Sequence, residues 1–463
     1  MNTESAEPHM KVFGSSGTRG VANDELTPEF VLKIAKAAGT VWRSDRVALA
    51  RDTRATGDML ADAAASGLAS IGADVDRLGV VPTPGAQAYT EREGVPALMI
   101  TASHNPPEYN GVKLIGEDGI ELAVGSLERI EDKFLTEAFE EVRWSETGHS
   151  HHIEDARDWY VSQLLEHIDT EKIADANLTI ALDPGHGAGS LTSPEFFRKL
   201  GCEVVTANSQ PDGHFPGRNP EPVPKNLRDL GRLVESTDAD VGIAHDGDAD
   251  RAIFYDENGD YIEGDATLAA LSAAQLEPGD AVVSAVNVSQ RLVDVARETG
   301  STLELTPIGS TNIITRIREL QDQNVSVPVA GEGNGGIFFP NYRLTRDGAY
   351  TAAKFLELLV DRTASEVVEP YSGYHNIRTN ISYTTDAEHD ALLSAAEQKA
   401  EESDAELNTR DGYRLDFGDA WVLARPSGTE PIVRIYAEAR EQHRAEELSE
   451  EMEDTLRIAK ASV

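Results

Sequence analysis

The sequence predicts an α/β protein: three related mixed α/β domains and a smaller C-terminal α+β domain, set around a central cleft. Two observations carry that reading. A short apolar run that opens onto a polar or glycine-rich loop recurs at Val47–Ala50, Met99–Ile100, Leu178–Leu182, Val241–Ala244 and Val325–Ala330. Helical stretches separate these runs, in rounds of roughly 100 to 150 residues, as βαβ-like repeats would. After about Ser365 the texture changes to strand-like runs at Ile377–Tyr383, Ala420–Ala424 and Ile432–Ala437, with helical stretches near Asp390–Glu402 and Glu441–Ala459. At 463 residues the chain is too long for one core. The expected domains are residues 10–150, 151–256, 257–366 and 367–463.

Taken in order, Lys11-Val12-Phe13 is strand-like and leads into Phe13-Gly14-Ser15-Ser16-Gly17-Thr18-Arg19-Gly20, a glycine-punctuated loop holding one arginine. Thr27 is a candidate N-cap with Pro28 in the first helical position, and Phe30, Val31, Ile34, Ala35 and Ala38 share one face. An alanine-rich helix is expected from about Met59 to Ile71, then a strand near Val75. Val95–Ile100 reads as a buried strand ending in Thr101-Ala102-Ser103-His104-Asn105-Pro106-Pro107, where two prolines block a helix. That strand end leaves Ser103 open to attack or modification. The polar stretch Glu140–Glu154, with His149, His151 and His152, reads as a linker whose spacing matches no strong metal pattern. A third round begins at Ala281-Val282-Val283-Ser284.

Composition narrows the classes. The 41 basic and 81 acidic residues give a net charge of −40, spread through the chain. Such a surface suits molar salt, where the Debye length falls to about 3 Å, and points to a halophile more than to a cationic partner. No basic stripe is present, so nucleic acid is not an expected partner. Met1–Met10 is polar and acidic, expected to be a frayed extension and not a signal or transit peptide. No apolar run reaches membrane-spanning length, which makes cytoplasmic the expected location. The single cysteine, Cys202, permits no intrachain disulfide and reads as a buried small hydrophobe.

Four loops carry candidate chemistry. Asp246, Asp248 and Asp250 alternate, so three carboxylates can point at one hard cation, with Mg²⁺ the natural occupant. An EF-hand is the rival, since Glu257 falls at its twelfth position. Arg251, however, holds the sixth place, where the turn demands glycine, and a strand precedes the loop. Arg425-Pro426-Ser427-Gly428-Thr429 combines a guanidinium, two hydroxyls and a glycine-bearing turn, either a phosphate clamp or a plain turn. Glu332 and Asn334, within Gly331–Gly336, pair an acceptor with an amide, which suits sugar hydroxyls.

Together these loops resemble the α-D-phosphohexomutase family over nearly the whole chain. TASHNPP at Thr101–Pro107 is similar to its phosphoserine loop and DGDADR at Asp246–Arg251 to its metal loop. GEGNGG at Gly331–Gly336 stands where the family carries its sugar loop, and RPSGTEP at Arg425–Pro431 resembles its phosphate loop. FGSSGTRG and Asn110-Gly111-Val112-Lys113 also match family segments.

The resemblance implies a phosphoryl group on Ser103, beside one Mg²⁺ per chain held by Ser103, Asp246, Asp248 and Asp250. It implies transfer to a sugar monophosphate through a hexose 1,6-bisphosphate, both intermediate and activator. Lys113 becomes the candidate general acid/base, its pKa lowered by Arg19 and Mg²⁺ against the phosphoserine charge. His104 supports the loop. Arg251, Glu332 and Asn334 contact substrate, and Arg425, Ser427, Gly428 and Thr429 grip the phosphate that is not reacting. Gly336 stands where many members carry His, and Ser310 where relatives often place Asp or His. Mannose or glucose phosphate is the expected substrate, with glucosamine phosphate next. A metal-dependent sugar phosphatase and a non-catalytic sugar-phosphate sensor are the rivals. The protein is expected to be a monomer or homodimer.

Overall fold

The structure, a computed structural model, describes residues 12–14, 17–427 and 430–463. They fall into two compact units. The first runs to Ile262 and takes in Gly336–Ser365; the second comprises Glu263–Gly335 and Glu366–Val463.

The first unit holds two sheets. Strands β1 (Thr18–Val21), β2 (Arg46–Arg51), β3 (Asp74–Val80), β4 (Ala97–Ile100), β5 (Tyr109–Ile115) and β6 (Ser150–His152) lie in the order β1-β5-β4-β2-β3-β6. β2 pairs in parallel with both β3 and β4, while β5 runs antiparallel to β4 and β1. The central strands are buried along their length, which is why they read as unbroken apolar runs. Helix Pro28–Trp42 covers one face with Val31, Ile34, Ala35 and Ala38 in the core, and its first turn is capped by the Thr27 hydroxyl. Strands β7 (Thr179–Asp183), β8 (Glu203–Thr206), β9 (Val241–Ala244), β10 (Ile253–Tyr255) and β11 (Tyr261–Ile262) repeat the scheme in the order β11-β10-β9-β7-β8. In both sheets the polar loops leave from the carboxyl ends of adjacent parallel strands, β2 and β4 in one and β7 and β9 in the other.

Three local expectations are corrected. Thr18–Val21, read as loop, is an edge strand, because it pairs with Tyr109–Val112 some ninety residues on and local pattern cannot show that. The Glu140–Glu154 linker ends in β6, where His149 N donates to Asp74 Oδ1 at 2.7 Å. Among the described residues, the one metal-competent cluster of three is Asp246, Asp248 and Asp250, and the three histidines form none. The strand expected over Val325–Ala330 is confined to Val329–Gly331, since Pro328 has no N–H to give a ladder. Cys202 is buried just before β8, where burial pushes its thiol up to about 12. No helix among the described residues is long and apolar enough to cross a membrane.

The second unit joins a parallel trio to an antiparallel sheet. Ala281–Ala285 pairs in parallel with Thr302–Thr306 and Val329–Gly331. The C-terminal sheet orders His375–Ser382, Ile432–Ala439, Ala420–Pro426, Tyr413–Asp416 and Glu406–Asn408, all antiparallel. Helices Asp386–Glu401 and Gln442–Lys460 pack on one face through Leu392, Leu448, Met452 and Leu456. The other face meets the trio through Trp421, Leu423 and Tyr436 against Val286. A fully buried carboxylate, Glu438, fastens the two parts. It accepts from Ser289 Oγ (3.0 Å), Gln290 N (2.6 Å) and Trp421 Nε1 (3.2 Å). Glu438→Ala strands all three donors and is expected to cost about 3 kcal/mol. A calorimetric melt that matches the parent would contradict this.

Candidate active site

Ser103 lies three residues past β4, buried, with φ of +51° in the left-handed region. A side-chain chain reaching back to the loop after β2 holds it there. The Ser103 N–H donates to Thr101 Oγ1 at 2.8 Å, and the Thr101 hydroxyl to Asp52 Oδ2 at 2.7 Å. Asp52 also accepts from Arg54 N (2.9 Å) and Nε (3.1 Å). The rest of the Arg54 guanidinium serves the serine loop itself. Its two terminal nitrogens donate to the carbonyls of Ser103 (2.8 Å), Asn105 (2.7 Å), Pro106 (2.7 Å) and Tyr109 (2.8 Å). One buried arginine thus shapes seven residues.

The aspartate-rich loop after β9 has a matching clamp. The buried Arg218 donates to the carbonyls of Asp183 (3.2 Å) and His245 (2.6 Å), and its Nε lies 3.1 Å from Asp183 Oδ2. His245 spans Ser193 Oγ (3.0 Å) and the Arg251 carbonyl (2.8 Å), and burial lowers its pKa to about 4. Helix Gly348–Leu356 closes in from the other side, with Gly348 N donating to the Ala249 carbonyl at 3.2 Å. A Cβ at Gly348 would stand 2.3 Å from the Arg251 carbonyl, so only glycine fits.

The two loops meet at Ser103 and Asp246, where the serine hydroxyl donates to Asp246 Oδ2 at 2.7 Å. A Cβ at Gly247 would stand 2.5 Å from the Ser103 carbonyl. Asp248 Oδ2 accepts from Thr83 Oγ1 (2.5 Å) and Lys113 Nζ (2.7 Å), and Asp250 Oδ2 from Arg346 (2.7 Å) and Lys113 (3.2 Å). The Oδ1 of all three is buried and accepts no hydrogen bond. One carboxylate oxygen from each lies within 4.8 Å of the others. Three orphaned oxygens with an all-oxygen donor set fit a hard divalent cation such as Mg²⁺.

Burial, with Asp250 and Asp248 adding to it, pushes Asp246 up to about 8. Burial pushes the same way at Asp248 and Asp250, but Lys113 and Arg346 outweigh it and hold both below the usual carboxylate range. Lys113 balances the metal-free site. Burial lowers its pKa, yet Asp248, Asp250 and Glu121 outweigh burial and Arg346, and the ammonium is held above its ordinary value. Arg251 chiefly, then burial and Arg19, lowers His104 to about 2, so its ring is neutral, with Nδ1 3.4 Å from Ser103 Oγ. Arg19 donates to Asn105 Oδ1 at 2.9 Å. Arg251 Nε stands 3.9 Å from Asp246 Oδ2 and 3.8 Å from Asp250 Oδ1.

The second unit carries the other expected residues. Glu332, buried, accepts from Asn334 Nδ2 at 3.4 Å. Arg425 Nε lies 3.1 Å from Asp411 Oδ2, the oxygen that also accepts from Ile308 N at 3.0 Å. Ser427 N donates to the Ile432 carbonyl at 2.9 Å, and Ser310 opens helix Ser310–Asp322. Gly428 and Thr429 lie outside the described residues. Arg54, Arg218 and Arg346 were missed on sequence. Arg54 and Arg218 had a signal in their carboxylate partners, Asp52 just past one parallel strand and Asp183 at the end of another.

Comparison with known proteins decides the family. Four consecutive domain models match: phosphoglucomutase/phosphomannomutase alpha/beta/alpha domains I, II and III over residues 10–141, 158–259 and 258–374, and the C-terminal domain over 382–455. The chain belongs to this family, the α-D-phosphohexomutases. A phosphoglucomutase/phosphomannomutase of Thermococcus kodakarensis is 40% identical over 450 residues, covering 95% of this chain and 97% of the relative. A phosphoglucosamine/phosphogalactosamine mutase of Sulfurisphaera tokodaii is 36% identical over 452 residues, covering 96% and 98%. The crystal structure of a family protein from Burkholderia thailandensis superposes with a TM-score of 0.85 at 27% identity, covering 97% and 98%. The four-domain mixed α/β fold is that of the family, and the chain is a phosphohexomutase, an isomerase that moves a phosphoryl group intramolecularly.

Two predictions test this geometry. Arg54→Lys keeps the charge but cannot reach four carbonyls; displacing the serine by an ångström is expected to cost about a hundredfold in kcat. Steady-state kinetics with unchanged kcat would refute it. The raised Asp246 pKa means that the folded, metal-free chain holds a proton the unfolded chain has lost above about pH 4. Its contribution to stability is therefore full at low pH and lost as pH rises towards 8. In EDTA, the melting temperature of the parent should fall relative to Asp246→Asn between pH 5 and 8, and parallel curves would contradict it.

Proposed function

We propose that the chain interconverts hexose 1-phosphate and hexose 6-phosphate, on glucose or mannose phosphate, through phosphorylated Ser103 and a hexose 1,6-bisphosphate. The observation that supports this most is the Ser103 hydroxyl bonded to Asp246 in a loop whose three carboxylates each keep an unbonded, buried oxygen. A Mg²⁺ held by Asp246, Asp248 and Asp250 would supply Lewis-acid stabilisation of phosphoryl charge.

The phosphoserine passes its group to the free sugar hydroxyl, and the bisphosphate turns round and returns its other phosphate to Ser103. Lys113 enters as an ammonium, adding positive charge to the loose transition state; it gives a proton to the departing serine oxygen and takes back the proton that the attacking sugar hydroxyl sheds. Arg251 and Arg19 add further positive charge, and the neutral His104 supports the serine. Glu332 and Asn334 orient sugar hydroxyls, while Arg425, Ser427, Gly428 and Thr429 grip the idle phosphate. These loops fall one to a domain with boundaries at 10–150, 151–256, 257–366 and 367–463. The acidic surface suits work in molar salt in the cytoplasm. Glucosamine phosphate is the second reading, supported by the name of the Sulfurisphaera relative.

The test compares glucose, mannose and glucosamine 1-phosphates in molar KCl with Mg²⁺ and a trace of hexose bisphosphate, with free phosphate monitored. Conversion to a 6-phosphate without phosphate release is expected, and the fastest sugar names the substrate. Phosphate release alone would instead establish a phosphatase. Ser103→Ala should remove nearly all turnover in a folded protein, and full activity would rule out the phosphoserine route.

A further inference from the structure

The three metal-loop carboxylates share a pattern that the proposed chemistry does not require. In each, Oδ2 is taken by protein donors, and Oδ1 is buried without a hydrogen bond. Asp246 Oδ2 is bound by Ser103, Asp248 Oδ2 by Thr83 and Lys113, and Asp250 Oδ2 by Lys113 and Arg346. Asp248 and Asp250 are thereby limited to one oxygen each for a cation whatever the state of Ser103, whose hydroxyl occupies Asp246 Oδ2 only while it is unphosphorylated. The arginine is what makes Asp250 conform, since the Lys113 bond to it is long, at 3.2 Å, while Arg346 donates at 2.7 Å.

Arg346 is fixed for that task. It closes the strand Arg343–Arg346 of the first unit, is itself buried, and lies 3.6 Å from the Glu121 carboxylate on its other side. Its neighbours pin the segment: Thr345 bonds Gln87, Asp347 accepts from Tyr160 Oη at 2.9 Å, and Gly348 N donates to the Ala249 carbonyl. The guanidinium therefore cannot swing away without moving the wall of the metal loop.

Cations differ in what they ask of a carboxylate. Ca²⁺ takes six to eight oxygens and readily accepts a bidentate carboxylate, whereas Mg²⁺ demands octahedral geometry with single oxygens and keeps several waters. Resting on the metal centre proposed above, we propose that Arg346 is a positioning residue that sets metal selectivity. By occupying Asp250 Oδ2 it withholds the bidentate grip that Ca²⁺ would use, and so favours Mg²⁺.

The experiment measures Mn²⁺ binding by electron paramagnetic resonance in the full chain, with Mg²⁺ and Ca²⁺ as competitors, for the parent, Arg346→Met and Arg346→Lys. Loss of a positive charge strengthens binding of both ions alike, so the ratio of the two affinities isolates the geometry. In Arg346→Met, with folding checked by circular dichroism, the preference for Mg²⁺ over Ca²⁺ should fall about tenfold. Arg346→Lys, which can still donate to Oδ2, should keep most of it. An unchanged ratio in folded Arg346→Met overturns the inference while leaving the metal centre standing. Loss of the preference in both variants alike overturns it too, because charge and donor are then not what matters. Failure of the parent to bind any of the three ions overturns the metal centre and this inference together.

Discussion

The guanidinium of Arg54 is the interaction on which the serine loop depends. A loop that carries two prolines lacks two backbone donors, and although Asn105 N reaches the Ala102 carbonyl and Tyr109 N the Pro106 carbonyl, it needs further donors for its remaining carbonyls. Arg54 supplies four N–H···O bonds to that loop and a further contact to Asp52, which in turn fixes Thr101 and the Ser103 N–H. The left-handed conformation of Ser103 is strain held by this frame. Its result is a hydroxyl aimed at Asp246 from a different sheet.

Charge sets the second constraint. Three fully buried carboxylates on alternate residues repel one another, and the chain answers with Lys113, Arg346 and the nearby Arg251. One carboxyl, Asp246, has Arg251 at 3.9 Å as its cation, which burial and the two other aspartates outweigh, and it keeps its proton towards pH 8. In a chain whose acidic residues outnumber the basic two to one, cations placed in the core are a sizeable commitment. They hold the site together and at the same time dictate which oxygens remain available.

Much of this was legible in sequence. The buried strands β4 and β9 ended where their apolar runs ended, and Ser103, Asp246, Asp248 and Asp250 stood out because polar residues follow such runs only where something is to be presented. The antiparallel C-terminal sheet was readable from its strand-like runs and flanking helical stretches. What escaped was non-local. Arg54 was missed, since its partners lie about fifty residues away. Arg346, 96 residues from Asp250, had no local signal at all. The charge state of Lys113 in the metal-free site was not legible, because it depends on which carboxylates the fold brings near, and composition weighs an arginine neighbour and an aspartate neighbour alike.

The first unit is discontinuous in the chain, and this bears on how the protein is made. A ribosome that has finished the three-aspartate loop must still add the whole of 263–335 before it reaches the strand that holds Arg346. During that interval the nascent amino-terminal segment carries its three carboxylates without one of their two closest counter-charges, and without the helix that seats Gly348. Domains usually fold in the order in which they emerge. Here the first unit must wait for a later segment to complete its own centre, so a chain cut short before Gly336 is left with a three-aspartate loop it cannot close.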